Sequence, residues 1–411
     1  MNKRRFFSVL ATVLAFAGPG LTVASQDAAP QPRPAVEVRV HVTSGGRFVD
    51  DLTLGDFGLL EDGKTQRLGS LALVKKGSIT RQEGIEGVRV PPARSYTLLF
   101  QLVDWDPNLT EAVDYLFGTV IKPGDSLALV TPFKPYHLQS DALTQRTKTE
   151  LSESMKDVLR KDVLRGGGEY RDLITELRRL SRAIGGGSGA SQEDIDTDPT
   201  TDAESGFGLE MQIDRYRQAL MKIDGIRLVD EAKLLAFAGS LRPVAGQKTV
   251  VLFYQREFRP EISPTTLTRL MSLYQDNPDI LGNLMDLFQF YKREKTFDVE
   301  RVKKAFADAD IDFHFIFMEK KNQRVFGATM REQSEDIYPG FVEIAKATGG
   351  TSESSANPAS AFKRATEEAA DYYLLSYTPE ASDQGPGFRQ ISVNVKRGGC
   401  KVMNPLGYYA R

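Results

Sequence analysis

The sequence predicts an α/β fold: a mostly parallel sheet covered on both faces by helices, joined to a small antiparallel β domain built from both ends of the chain. Three observations carry this expectation. Mostly apolar residues fill four runs, 98–103, 126–130, 248–254 and 313–318, as strands buried on both faces require. Helical patterns separate the runs, the arrangement of a parallel sheet. Alternation at period 2 marks 36–42 and returns at 390–395, the pattern of half-exposed strands.

The chain has 411 residues, 41% hydrophobic and 26% charged, enough for two domains and a large core. A net charge of -2 gives no whole-molecule attraction to nucleic acid or anionic lipid. No nucleic-acid partner is expected. The basic run Lys3-Arg4-Arg5 precedes an apolar stretch over 6–17, then Gly18-Pro19-Gly20 and Val23-Ala24-Ser25-Gln26. That order reads as a signal peptide over residues 1–25, cleaved after Ser25. About a dozen apolar residues are too few to span a bilayer, and no later segment is long enough either. The mature chain is therefore expected to have no membrane span and to be exported, to the periplasm or the medium. Residues 26–35, with Pro30, Pro32 and Pro34, form a linker. Cys400 is the single cysteine and is read as an unpaired thiol.

Residues 36–92 form the N-terminal β module, with short strands over 36–42, 48–52, 57–61 and 66–74 and a turn at Asp62-Gly63-Lys64. The α/β domain occupies 93–370. Its first strand ends in Asp104-Trp105-Asp106, where Asp106 can cap a helix with Pro107 at its first position. Helical stretches follow over 147–164 and 172–184, each closed by a glycine triplet; Gly166-Gly167-Gly168 is read as a flexible helix end. Residues 185–206 are Gly-, Ser- and Asp-rich, so a mobile loop is expected. Asp194, Asp196, Asp198 and Asp202 have partial calcium-loop spacing, but Pro199 and Ser205 stand where Gly and Glu are needed. A long helical region over 210–240 leads to the third run. Ser263-Pro264 and Asn277-Pro278 each start a helix, and 371–411 supplies strands that pair with the N-terminal module.

These landmarks resemble the von Willebrand factor type A-related domain proteins common in Acidobacteria and other exported bacterial lineages. The resemblance covers nearly the whole mature chain. It rests on Val49-Asp50-Asp51-Leu52-Thr53, Asp56-Phe57, Glu61-Asp62-Gly63-Lys64, Pro123-Gly124-Asp125 and Lys248-Thr249-Val250-Val251-Leu252-Phe253. Ala345-Lys346-Ala347-Thr348-Gly349-Gly350, Tyr373-Leu374-Leu375-Ser376-Tyr377-Thr378-Pro379, Phe388-Arg389 and Gly407-Tyr408-Tyr409 complete it. The resemblance implies a doubly wound, Rossmann-like sheet with a crevice at the carboxyl ends of its strands. In the family that crevice holds a divalent cation, ligated by Asp-x-Ser-x-Ser, a Thr and a further Asp.

Here Gln101 matches the first Asp, Val103 and Trp105 fall on the two serines, and Gln255 lies in Tyr254-Gln255-Arg256 where Ser-Asp-Gly is expected. An amide oxygen brings no charge, so the site is read as degenerate and no cofactor is expected. A rival reading is a shifted magnesium site from Asp104, Asp106 and Glu257. Partner recognition is assigned to Trp105, Tyr254, Arg256 and Phe258, since aromatic and arginine residues make good anchors.

The histidines His41, His137 and His314 stand in separate contexts with no metal-ligand spacing. No nucleophile elbow, phosphate loop or paired-carboxylate signature is present. The expectation is an exported, non-catalytic protein-binding or scaffolding module with a metal-free type A-like domain. Its rivals are metal-dependent adhesion through the shifted site and a hydrolase with an unrecognised site.

Overall fold

In the computed structural model, the central strand Arg94–Gln101 lies third from one edge of a six-stranded sheet, between Gln247–Gln255 and Ser126–Val130. Beyond Gln247–Gln255 come Ile311–Met318 and then Ser352–Ser355; Pro135–Leu138 closes the other edge. All pairings are parallel except the last. The structure describes residues 35–84, 94–138, 141–185, 206–227, 229–292, 297–322, 328–379 and 385–410. The expected signal peptide, most of the linker, and Asp194, Asp196, Asp198 and Asp202 lie outside them.

The consecutive apolar runs are explained by helices on both faces. Leu98, Phe100, Val251 and Phe253 pack against helices Leu109–Tyr115, Lys148–Gly166 and Pro358–Ala370. Their neighbours Leu99, Val250, Leu252 and Tyr254 face helices Glu231–Leu241, Val299–Asp308 and Tyr338–Ala347. The sheet is doubly wound and Rossmann-like, as expected. Local signals place the helix starts: Ser263 and Asn277 accept hydrogen bonds from the first turns of Pro264–Leu273 and Pro278–Tyr291. Thr147 and Glu150 form a capping box on Lys148–Gly166.

A separate helical layer of Gly168–Ile184, Gly206–Arg227, Pro264–Leu273 and Pro278–Tyr291 has its own core. It meets the sheet at Val103, just past the central strand, and packs on the strand Phe258–Glu261, which pairs with Thr329–Glu332. The long helical region is two helices, Gly206–Arg227 and Glu231–Leu241.

The chain ends build the expected antiparallel β domain, as two sheets around one core. Val36–Ser44 pairs with Asp371–Tyr377, which also pairs with Leu68–Lys75. Phe57–Glu61 pairs with Gly387–Val395, and that strand with Gly407–Ala410. Val40, Leu59, Leu71, Tyr373 and Ile391 meet in the core between them, with half-buried Cys400 beside it. The short strand expected over 48–52 stops at Phe48. Asp56 pulls the chain into a turn by accepting from the Thr53 backbone at 2.7 Å and its hydroxyl at 2.8 Å.

A buried polar cluster locks the two domains together, and it corrects the reading of the histidines as separate. Arg39 and His41 on Val36–Ser44 meet Asp312 and His314 on Ile311–Met318, all buried. Arg39 lies 2.9 Å from Asp310 and 3.4 Å from Asp312, with Tyr372 under its guanidinium; His314 Nε2 is 3.3 Å from Asp312. Burial pushes the Asp312 carboxyl up, but His314 and Arg39 outweigh it and hold the group down at about 2. Burial pushes the His41 imidazole below its ordinary value.

In the interval between that depressed value and about 6.5, the unfolded chain binds more protons at His41, so stability falls as pH falls through it. Asp312 acts in the same direction at lower pH, its contribution being lost between about 4 and 2. Urea midpoints are therefore expected to drop on acidification below about pH 6.5, and His41→Gln is expected to flatten that slope.

Candidate functional site

Strand Arg94–Gln101 ends at half-buried Gln101, and residues 102–106 carry the chain over the carboxyl edge of the sheet. Two neighbours fix this loop. Tyr254 pairs with Gln101 in parallel register, so Gln255 lies one residue further along. Its side chain reaches the loop, and Oε1 accepts hydrogen bonds from the backbone of Val103 at 3.1 Å and of Asp104 at 2.9 Å. Gln255 is 5% exposed, and its carbonyl oxygen satisfies the buried amide of Val103 and the part-buried amide of Asp104.

The second neighbour is the glycine triplet. Lys148–Gly166 and Gly168–Ile184 are consecutive helices with Gly167 between them. A Cβ on Gly167 would lie 2.3 Å from the Val103 carbonyl oxygen, and one on Gly166 2.7 Å from Pro132. Gly166 and Gly167 thus form a close-packed corner pressed on the strand end, not a flexible helix end, while a Cβ on Gly168 would meet open space. Arg171, in the first turn of the second helix, donates to the carbonyls of Val103 and Leu164 and staples that corner.

Asp104 forms an ion pair with Lys320, just beyond strand Ile311–Met318, and lies 3.9 Å from Arg171. Asp106 turns back locally: Oδ1 accepts from the Asn108 backbone at 2.9 Å, and the helix begins at Leu109 rather than Pro107. Glu257 is 1% exposed and ion-paired with Arg227, which also donates to the Gln333 carbonyl. The three carboxylates of the shifted-site reading are therefore held by different partners. Among the described residues, no group of three or more His, Cys, Asp and Glu side chains could hold a metal.

The structure separates the four proposed anchors. Phe258 lines a cleft of about 250 Å³ whose walls include Asp104, Tyr170, Arg171, Glu257 and Lys320. Trp105 is half-buried against the sheet core. Arg256 lies 3.1 Å from Glu332 and over the Phe317 ring. Tyr254 is 3% exposed and stacks on Phe317, so it is a core residue and not an interface anchor. The reason is the double cover of the sheet: an aromatic side chain near the end of a strand buried on both faces packs under a helix.

Tyr170, Arg171, Arg227 and Lys320 contribute most to this site and were not singled out from the sequence. Tyr170 and Arg171 stand two and three residues after the glycine triplet, and Lys320 follows the fourth apolar run by two residues. Ligands in open α/β sheets bind beyond the carboxyl ends of the strands, so position after an apolar run is the signal that marks Lys320. Arg227 carries no such signal, because its partnership with Glu257 links residues far apart in the chain.

No family model matches the chain, and no curated protein matches it significantly in sequence. A solved structure with some likeness is the human COPII-coat protein Sec24c, 8% identical with a TM-score of 0.27, over 78% of this chain and 44% of that one. This chain spans less than half the length of that protein. At such a score the likeness carries no argument, and the fold rests on the sheet order and helix layers described above. Among the described residues, no helix is long and apolar enough to cross a membrane.

Proposed function

We propose that this chain is an exported, non-catalytic protein-binding or scaffolding module of the von Willebrand factor type A-related kind, and that it engages its partner at the carboxyl-edge crevice without a metal. The observation that carries this reading is the fate of the two positions where the family's carboxylates are expected. Gln101 is neutral, and Gln255 spends its amide oxygen on the backbone of Val103 and Asp104. Asp104, on the loop just past Gln101, is ion-paired with Lys320. A hard cation needs several charged or carbonyl oxygens turned toward one point, and here protein cations and amides take those oxygens instead. The loop is positioned by hydrogen bonds, leaving a preformed cleft with Phe258 on its wall and Trp105 on the adjoining loop.

The test is affinity capture from the native envelope fraction, comparing the native protein with Phe258→Ala and Trp105→Ala, each checked for folding by circular dichroism. Loss of the same captured protein from a folded variant is the expected result. Identical capture by all three proteins would overturn the assignment of the crevice.

A further inference from the structure

We propose that the cleft is a carboxylate site: it takes the side chain of an acidic residue in an extended peptide segment of the partner, held by Lys320 and Lys321 with Arg171 and the Tyr170 hydroxyl. The inference rests on the reading of the crevice as a protein-binding surface and adds the chemistry that surface selects.

The charge balance gives the sign of the ligand. Leaving aside Arg178, which also lines the cleft, three cations, Arg171, Lys320 and Lys321, stand against two carboxylates, Asp104 and Glu257. Glu257 is balanced from behind by Arg227, which is not part of the lining. Asp104 is shared between Lys320 and Arg171, so it offsets one of them. The cleft therefore carries surplus positive charge in a chain whose net charge is -2, and a concave surface of one sign focuses its field on ligands of the other.

A second observation is independent of this balance. Tyr170 lines the cleft and is 4% exposed, yet its hydroxyl has no hydrogen-bond partner among the described residues. An unmade hydrogen bond on a buried polar group is costly, and an oxyanion accepts from a phenol. Burial and the Glu257 charge raise the Tyr170 hydroxyl well above its ordinary value, so it stays protonated and can donate.

Size and lining select a carboxylate on an aliphatic stem. About 250 Å³ lies below the range of clefts that enclose whole cofactors and fits a side chain. Ile174, Phe258 and Met330 supply apolar wall for methylene groups between the charged ones. Asp104 works against a dianion such as phosphate, because it already compensates part of the cation charge.

The test is calorimetric titration of the full chain with an acetylated oligoglutamate peptide, its oligoglutamine counterpart, and inorganic phosphate. Lys321→Glu changes an exposed residue, and Lys320→Met leaves Asp104 beside Arg171, so both variants are expected to fold. Oligoglutamate is expected to bind the native protein, to weaken about tenfold in each variant through loss of a charge-assisted contact, and to weaken with salt. Oligoglutamine is expected not to bind. Equal binding of the two peptides, or unchanged affinity in both variants, would overturn the proposal, as would phosphate binding as tightly as oligoglutamate. Absence of oligoglutamate binding in a protein whose envelope capture still depends on Phe258 overturns the acidic ligand and leaves the crevice reading standing.

Discussion

Replacing Arg227 with methionine is expected to destabilise the protein by about 3–5 kcal/mol, the usual cost of stranding one member of a buried ion pair. Both side chains are deeply buried, at 2% and 1% exposure for Arg227 and Glu257. Removing the guanidinium leaves the buried Glu257 carboxylate without the ion-pair partner that Arg227 supplies. It also releases the Gln333 carbonyl, which Arg227 holds next to the strand Thr329–Glu332. The double variant Arg227→Met, Glu257→Leu removes both charges and is expected to recover most of the loss, since a buried pair replaced by apolar groups of similar volume is often neutral. Urea denaturation of the native protein and both variants measures this. Equal destabilisation of the single and double variants would show that packing around the pair, rather than its charge, governs stability.

Gln255→Leu is expected to cost about 2–4 kcal/mol, because it strands the backbone donors of Val103 and Asp104 at roughly 1–3 kcal/mol apiece with partial relaxation. The side-chain volumes are close, so the transfer term is small. The consequence extends beyond stability: residues 102–106 lose the tether that places Asp104 opposite Lys320. Hydrogen exchange should rise at the Val103 and Asp104 amides before it rises at Phe100 or Phe253 in the sheet interior. Uniform acceleration across all four would mean that the variant had loosened the whole sheet and that Gln255 has no special hold on the loop.

The fold was legible where one physical constraint dominates. Strands covered on both faces are apolar at nearly every position, which made Leu98 to Val103 and Phe313 to Met318 readable. The junctions Ser263-Pro264 and Asn277-Pro278 combine a capping side chain with a proline at the first helical position, so both boundaries were placed correctly. The edge strand Ser352–Ser355 and the pair Phe258–Glu261 with Thr329–Glu332 carry no comparable pattern. They are four residues long and formed by partners distant in the chain. The candidate site divides the same way. Gln255 and Phe258 stand next to an apolar run and were found by position, whereas Arg171 and Arg227 lie on helices whose cations look like ordinary solvated faces. The glycine triplet was misread because the sequence shows the freedom of glycine but not the Val103 carbonyl that occupies the space of a Cβ.

The most direct test of a crevice that works without a metal is the melting temperature of the full chain in chelator, and in saturating magnesium or manganese. A ligand that binds only the folded state raises its stability in proportion to the logarithm of its excess over Kd. With Asp104 ion-paired to Lys320 and Glu257 to Arg227, the three melting temperatures are expected to coincide. A rise of several degrees with either cation, abolished by Asp104→Asn, would contradict the account and restore a metal to this edge of the sheet.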